Sequence, residues 1–301
     1  MGKVLEELSA AVRTVAEAVG PSVVGVGAGG SGAVVSAGVV VTNAHNLRGG
    51  ETVVTFADGR RVPGRASGVD IDGDLAVLSV DTAGAPALAW STETVGVGDA
   101  VLGCANPGGR GLRVSVGFVS AADVAFRGPG GRKVGGALEH TAPLARGSSG
   151  GPLVDGSGKL VGIDTHRVGD GFYLAVPADG DLRRRVDALS RGEEPHRPRL
   201  GIAVAPPQVA RRLRRSVGLP EREGILVRAV EEGGPAAGAG IRQGDLVVAV
   251  AGTPVETVDD LSAALEGSGS GGAVELAVVR GVEELTVSVT LAAPATDPPA
   301  A

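Results

Sequence analysis

The sequence predicts a mainly β chain built as two modules, and three observations carry that expectation. Its 301 residues exceed one ordinary domain. Fifty-one glycines punctuate short valine-rich runs, the pattern of strands joined by tight turns, and from Ser22 to Val176 that pattern suits an all-β double barrel. A charged, proline-bearing stretch, R-G-E-E-P-H-R-P-R from Arg191 to Arg199, then separates this region from a second valine- and glycine-rich one. With aromatics at 2% of the chain (Phe56, Trp90, Phe118, Phe126, Phe172 and Tyr173), both cores must pack mainly aliphatic side chains.

Taken in order, Val4 to Val19 carries apolar residues at helical spacing and stops at Gly20-Pro21. Three acidic residues interrupt it, so it is neither a signal peptide nor a membrane span. The strand region follows to Val176, and Ala178 to Ser190 reads as a closing helix. Residues 1–190 are expected to form the first domain, 191–198 the linker, 199–291 the second domain and 292–301 (A-A-P-A-T-D-P-P-A-A) a disordered tail. In the second module, R-L-G-I-A-V, G-I-L-V-R-A-V and G-D-L-V-V-A-V-A-G-T-P-V read as strands, with a short helix start in G-G-P-A-A-G.

The segment L-A-R-G-S-S-G-G-P-L-V, Leu144 to Val154, is where the chain points to chemistry. Glycines flanking a serine let the backbone take φ values closed to other residues, so successive N–H groups can converge on one small cavity. Such a cavity stabilises an oxyanion. The loop alone is moderately specific, since Gly-Ser-Gly-Gly also occurs in turns. Two further segments add to it: V-V-V-T-N-A-H-N-L places His45 after an apolar strand, and D-G-D-L-A-V-L-S-V places Asp74 before one. The order His45, Asp74, Ser149 is that of two-barrel serine proteases.

On these residues the chain resembles the HtrA-type (DegP-like) serine proteases, which carry T-N-x-H at the histidine, D-[LI]-A-[VL]-L at the aspartate and G-N-S-G-G-P-L at the serine. The stretch A-N-P-G-G-R-G-L-R-V-S-V-G-F-V-S-A is similar to their strand pair before the serine. The resemblance implies a trypsin-like double β-barrel followed by a PDZ domain. It implies Ser149 as nucleophile, His45 as general base and Asp74 as the carboxylate orienting it. The backbone N–H groups of Gly147 and Ser149, with Ser148 between them, would form the oxyanion hole. The strand G-F-Y-L-A-V-P would line the primary pocket through Tyr173, Leu174 and Ala175, with Pro143 at the position six before the serine. A proline there predicts an uncharged pocket and cleavage after small or medium aliphatic residues. Leu200, Gly201 and Ile202 match the PDZ loop that receives a peptide C-terminus.

Several departures fall at the site: Ser148 replaces the family asparagine, Asn46 and Leu47 replace two valines, and E-H-T-A-P-L-A replaces Q-T-D-A-A-I-N. None removes a triad member. His140, His166 and His196 have no motif context and read as structural or solvated. Asp70 and Asp72 read as turn residues, because the D-I-D-G-D run has leucine where a calcium loop needs glycine. No metal and no cofactor are expected. The arginine clusters 183–185 and 211–215 read as exposed helix faces.

The function expected is a serine endopeptidase acting on unfolded or tagged polypeptides in protein quality control. The competing reading is a catalytically silent protease-shaped PDZ chaperone. A lipase or esterase fits poorly, because the order His45, Asp74, Ser149 is not the Ser–Asp–His order of those enzymes. A net charge of −6 gives no reason to expect nucleic acid or an anionic membrane as partner. The lone Cys104 excludes an intrachain disulfide and reads as buried and inert. A start at Met1 predicts the cytoplasm, and a trimmed chain the cell envelope or medium. The family trimer relies on aromatic residues near the N-terminus, whereas the first aromatic here is Phe56, so a monomer or weak assembly is expected as much as a homotrimer.

Overall fold

The computed structural model describes residues 2–49, 51–129, 133–169, 171–193, 199–267 and 272–291. The chain divides into two compact units, Met1–Pro195 and His196–Ala301. Residues 194–198 and 292–301, where most of the linker and the tail are expected, lie outside the described residues, as does His196. No described helix is long and apolar enough to cross a membrane.

The first unit opens with α1 (Gly2–Val19), which a short 3-10 turn at Gly20–Ser22 ends where the Gly-Pro pair forbids continuation. Six strands follow: β1 (Val23–Val26), β2 (Gly30–Ser36), β3 (Val39–Thr42), β4 (Glu51–Thr55), β5 (Arg61–Asp70) and β6 (Leu75–Ser79). They close into a barrel in the order β1-β2-β3-β6-β5-β4. The second six are β7 (Ala100–Ala105), β8 (Arg113–Arg127), β9 (Lys133–His140), β10 (Pro152–Val154), β11 (Leu160–Val168) and β12 (Phe172–Pro177). They close as β10-β11-β12-β9-β8-β7. Closure pairs every strand on both sides and leaves no open sheet edge.

Period-two alternation of valines builds both cores from the same strands. Val24, Val26, Val34, Val40, Val54 and Leu78 fill the first barrel. Their neighbours Val23, Ala33, Val41 and Val77 face outward and join Leu102, Cys104, Val154 and Ile163 of the second barrel in one larger cluster. Each fully buried valine or leucine contributes about 1.5–3 kcal/mol, so the valine runs supply the cohesion that aromatics usually provide. Cys104 lies inside this cluster, and burial, with Asp164 adding to it, pushes its thiol up to about 12. Only the last turns of α1 dock on this core, through Val15 and Val19, while Val4, Leu5 and Leu8 stay exposed.

Helix α2 (Gly180–Ser190) closes the unit. Asp179 caps it by accepting from the N–H groups of Asp181 and Leu182, and Leu182, Val186 and Leu189 face the core. Its arginines are not simply a solvated face, as the sequence suggested. Arg183 stacks over Trp90, and Arg185 donates to Asp70 Oδ2 at 2.8 Å, where the carboxylate is 3% exposed. Removing the guanidinium takes a hydrogen-bonded cation from that buried carboxylate, so Arg185→Ala is expected to cost about 2–3 kcal/mol. Calorimetry should show the first unit melting lower by roughly 4–12 °C; a shift under about 2 °C would contradict this account.

The second unit runs β13 (Ile202–Val204), α3 (Pro207–Ser216), β14 (Ile225–Val230), α4 (Pro235–Gly238), β15 (Leu246–Val250), β16 (Thr253–Pro254), α5 (Val258–Gly267), β17 (Ala273–Arg280) and β18 (Glu283–Thr290). Its sheet has the order β13-β14-β15-β17-β18, with β16 on β15, so β13 is an edge strand. Within α3, Arg214 is buried rather than exposed, correcting the sequence expectation, while Arg211 and Arg215 pair with Glu223 and Glu221.

Candidate active site

The three residues singled out from the sequence come from both barrels. His45 lies in a 3-10 turn, Ala44–Asn46, directly after β3. Asp74 ends the turn between β5 and β6 at φ +50°, a conformation that aspartate tolerates better than most side chains, and it is fully buried. Asn43, itself buried, donates to the Asp74 carbonyl at 2.9 Å and fixes the two turns to each other. His45 Nδ1 lies 2.9 and 2.8 Å from the two carboxylate oxygens of Asp74, and the His45 backbone N–H donates to Oδ1 at 3.2 Å. With its proton held on Nδ1 by the carboxylate, the ring keeps a lone pair on Nε2.

Ser149 sits in the loop between β9 and β10. Its Oγ donates to the Thr165 carbonyl at 2.9 Å, so the hydroxyl rests on β11 rather than on the imidazole. The hydroxyl of the same Thr165 donates to Asp74, so the resting serine lies on the residue that adjoins the His45–Asp74 pair. The loop itself is firmly held. Ser31 N–H and Asn46 Nδ2 both donate to the Ser149 carbonyl, and Ser31 Oγ donates to the Gly147 carbonyl at 2.8 Å. Gly147 and Gly150 have φ +88° and +87°, and a Cβ on Gly150 would meet the Ser31 carbonyl at 2.3 Å. Only glycine fits there. The Ser148 N–H donates to the Ala145 carbonyl, whereas those of Gly147 and Ser149 donate to no described acceptor. Two unpaired N–H groups beside a hydroxyl are what an oxyanion receives from a formed hole.

A cavity of about 520 Å³ opens beside this loop, lined by Leu144 to Ser149, Asp164 to Arg167 and Tyr173. Of the four residues expected to form the pocket, Tyr173 alone lines it. Pro143 is exposed outside it, and Leu174 and Ala175 are buried in the cores. Strand alternation turns Leu174 to the face opposite Tyr173, while Ala175 shares the Tyr173 face but is packed among Val101, Val119, Leu138, Leu153 and Val161. The lining is also not uncharged, as the proline had suggested: Arg146, Arg167, His166 and Asp164 contribute to it.

Asp164 and His140 form a fully buried pair, Oδ1 to Nε2 at 3.0 Å, with the His140 ring stacked on Tyr173. Burial pushes the Asp164 carboxyl up, and the hydrogen bond and charge of His140 work against that shift. His140 is structural, as expected. His166 is neither buried in the core nor simply solvated: it stands against His45 and Phe126.

Sequence reading missed the parts played by Thr165, whose hydroxyl donates to Asp74 Oδ2 at 2.6 Å, and by Ser31 and Asn46, which tie the nucleophile loop to the first barrel with Thr42 joining the two. The asparagine at 46 was the available signal, since an amide next to the His45 turn needs hydrogen-bond partners. Among the described residues no cluster of three or more metal-ligating side chains is present.

Residues 30–163 match the trypsin-like peptidase domain family and residues 198–291 the PDZ domain family. A protein of Synechocystis sp. named as serine protease HhoA is 33% identical over 278 residues, covering 87% of this chain and 70% of the relative. The chain belongs to the HtrA family of trypsin-like serine proteases. A DegP-like periplasmic serine endoprotease of Brucella suis is also 33% identical, across 88% of this chain, which spans 52% of that relative's length. Among solved structures, a serine endoprotease from Yersinia pestis superposes with a TM-score of 0.70 at 27% identity, covering 93% of this chain and 97% of the other. The HtrA-type protease AlgW with a tripeptide superposes with a TM-score of 0.67 at 27% identity, covering 94% and 98%.

Within this HtrA chain, the predicted PDZ loop precedes the edge strand β13. Gly201 has φ +71°, Leu200 is buried, and the N–H groups of Leu200 and Gly201 donate to no described acceptor. Ile202 starts the strand and pairs with Val230 of β14.

Proposed function

We propose that the chain is a serine endopeptidase that cuts unfolded or tagged polypeptides through an acyl-enzyme, with its PDZ domain receiving peptide C-termini. The observation that carries this reading is the His45–Asp74 contact beside a serine whose loop offers two unpaired N–H groups. Ser149 attacks the scissile carbonyl once its hydroxyl turns from Thr165 to His45. His45 takes the proton and returns it to the leaving amine, and Asp74 stabilises the imidazolium. The N–H groups of Gly147 and Ser149 receive the oxyanion. The silent-chaperone reading gains no support from a loop whose donors are already free.

In the second unit, an edge strand with unpaired donors at its start can take an added peptide strand and a terminal carboxylate. AlgW has been solved with a tripeptide and with a decapeptide, which supports peptide capture as the role here.

Digestion of casein followed by mass-spectrometric mapping of the cut sites tests the enzyme and its pocket together. Arg146 and Arg167 in the lining disfavour a cationic side chain, and Asp164 is already paired with His140. Cuts are therefore expected after uncharged residues. A dominant cut after arginine or lysine would overturn this account of the pocket.

A further inference from the structure

Thr165 and His166 are adjacent on β11 and both reach the triad. The Thr165 hydroxyl is 2.6 Å from Asp74 Oδ2 and 2.7 Å from His166 Nδ1. It has one proton. Ionised Asp74 can only accept, so that proton lies on the Thr165–Asp74 contact, and the hydroxyl must accept from the other side. The donor is then His166 Nδ1–H. This fixes the His166 tautomer and leaves Nε2 as an open lone pair on a ring whose side chain is 34% exposed.

We propose that His166 is a positioning residue of the triad, its Nδ1–H holding the Thr165 hydroxyl on Asp74 and thereby the carboxylate on His45. The inference rests on the protease reading given above and adds a fifth side chain, behind Thr165, to its machinery. Phe126 packs on the His166 ring with centroids 4.9 Å apart, and His45 meets it edge to face at 5.8 Å, so the ring has little freedom to turn. Asp74 Oδ2 is 3.8 Å from Nδ1, too far for direct contact, which makes the threonine hydroxyl the necessary intermediary. Burial holds the His166 imidazole below its ordinary range; Asp74 opposes this and His45 adds to it, so the neutral ring is favoured. Thr165 has a second part in the site, because its carbonyl accepts the resting Ser149 hydroxyl. Anchoring Thr165 thus positions the base and the nucleophile at once.

Two measurements test this. The first is independent of turnover: long-range proton–nitrogen NMR of the histidine rings, with the His166 signals assigned by their loss in His166→Asn. The Nδ1–H tautomer at pH 8 is expected, and an Nε2–H tautomer would overturn the proposal. The second compares variants on a peptide substrate. His166→Ala should lower kcat by about tenfold, the scale of one lost hydrogen bond of about 1.4 kcal/mol, with KM changed less than about threefold. His166→Asn places an amide N–H where Nδ1–H was and should recover most of the loss. His166→Gln, which places its amide at the reach of Nε2, should not. Equal kcat in wild type and His166→Ala, or equal recovery by Asn and Gln, would overturn the proposal. Wild type no faster than Ser149→Ala would instead remove the protease reading, and the ring spectra would still decide the His166 contact.

Discussion

Ser149→Ala is expected to lower proteolysis of unfolded casein by at least about 10³-fold while the protein stays folded. The size follows from the chemistry: without the Ser149 hydroxyl the glycine loop loses the nucleophile that forms the covalent intermediate. Retention of the fold follows from the single hydrogen bond the side chain makes, to the Thr165 carbonyl, whose loss costs about 0.5–1.5 kcal/mol. The backbone contacts of residue 149 with Ser31 and Asn46 are untouched by the substitution. Release of labelled peptides measures the rate and circular dichroism checks the fold. Wild type and variant cleaving alike would remove the enzyme assignment.

Asp74→Asn is expected to lower kcat by on the order of 10⁴-fold at neutral pH, the scale known for the corresponding change in a serine-protease triad. The carboxylate accepts from three groups: His45 Nδ1, the His45 backbone N–H and the Thr165 hydroxyl. An amide supplies only one accepting oxygen. With its oxygen kept on the His45 backbone N–H, the amide puts its NH₂ where Oδ2 was, facing the Thr165 hydroxyl and His45 Nδ1. Both must then accept, so Nδ1 presents a lone pair and the ring proton moves to Nε2. A base with its proton already on Nε2 cannot take one from Ser149. Steady-state kinetics with a peptide substrate should show kcat falling and KM little changed. A loss under tenfold would mean that Asp74 does not set the tautomer.

The sequence made some of this legible and hid the rest for physical reasons. The His45–Asp74 contact and the glycine loop depend on local backbone needs, so they leave local signatures: a turn after β3, an aspartate tolerant of positive φ, glycines where a Cβ would strike Ser31. The cavity wall depends on barrel closure. Asp164, Thr165 and His166 are brought beside Ser149 because β10 pairs with β11, and no local pattern around them announces it. The pocket assignment failed at Leu174 because a strand turns successive side chains to opposite faces, and at Ala175 because that short side chain, on the Tyr173 face, is taken up by the barrel core. The small-residue and valine content, by contrast, correctly foretold the aliphatic cores.

The site is divided between two barrels, with His45 and Asp74 on one and Ser149, Thr165 and His166 on the other. Synthesis delivers them in that order, more than a hundred residues from first to last. A growing chain that has finished its first barrel holds a base with nothing to deprotonate. The nucleophile then arrives on a segment that must dock before it can cut. Destructive chemistry is therefore switched on by completion of the fold, and an unfinished copy is harmless to its neighbours and to itself.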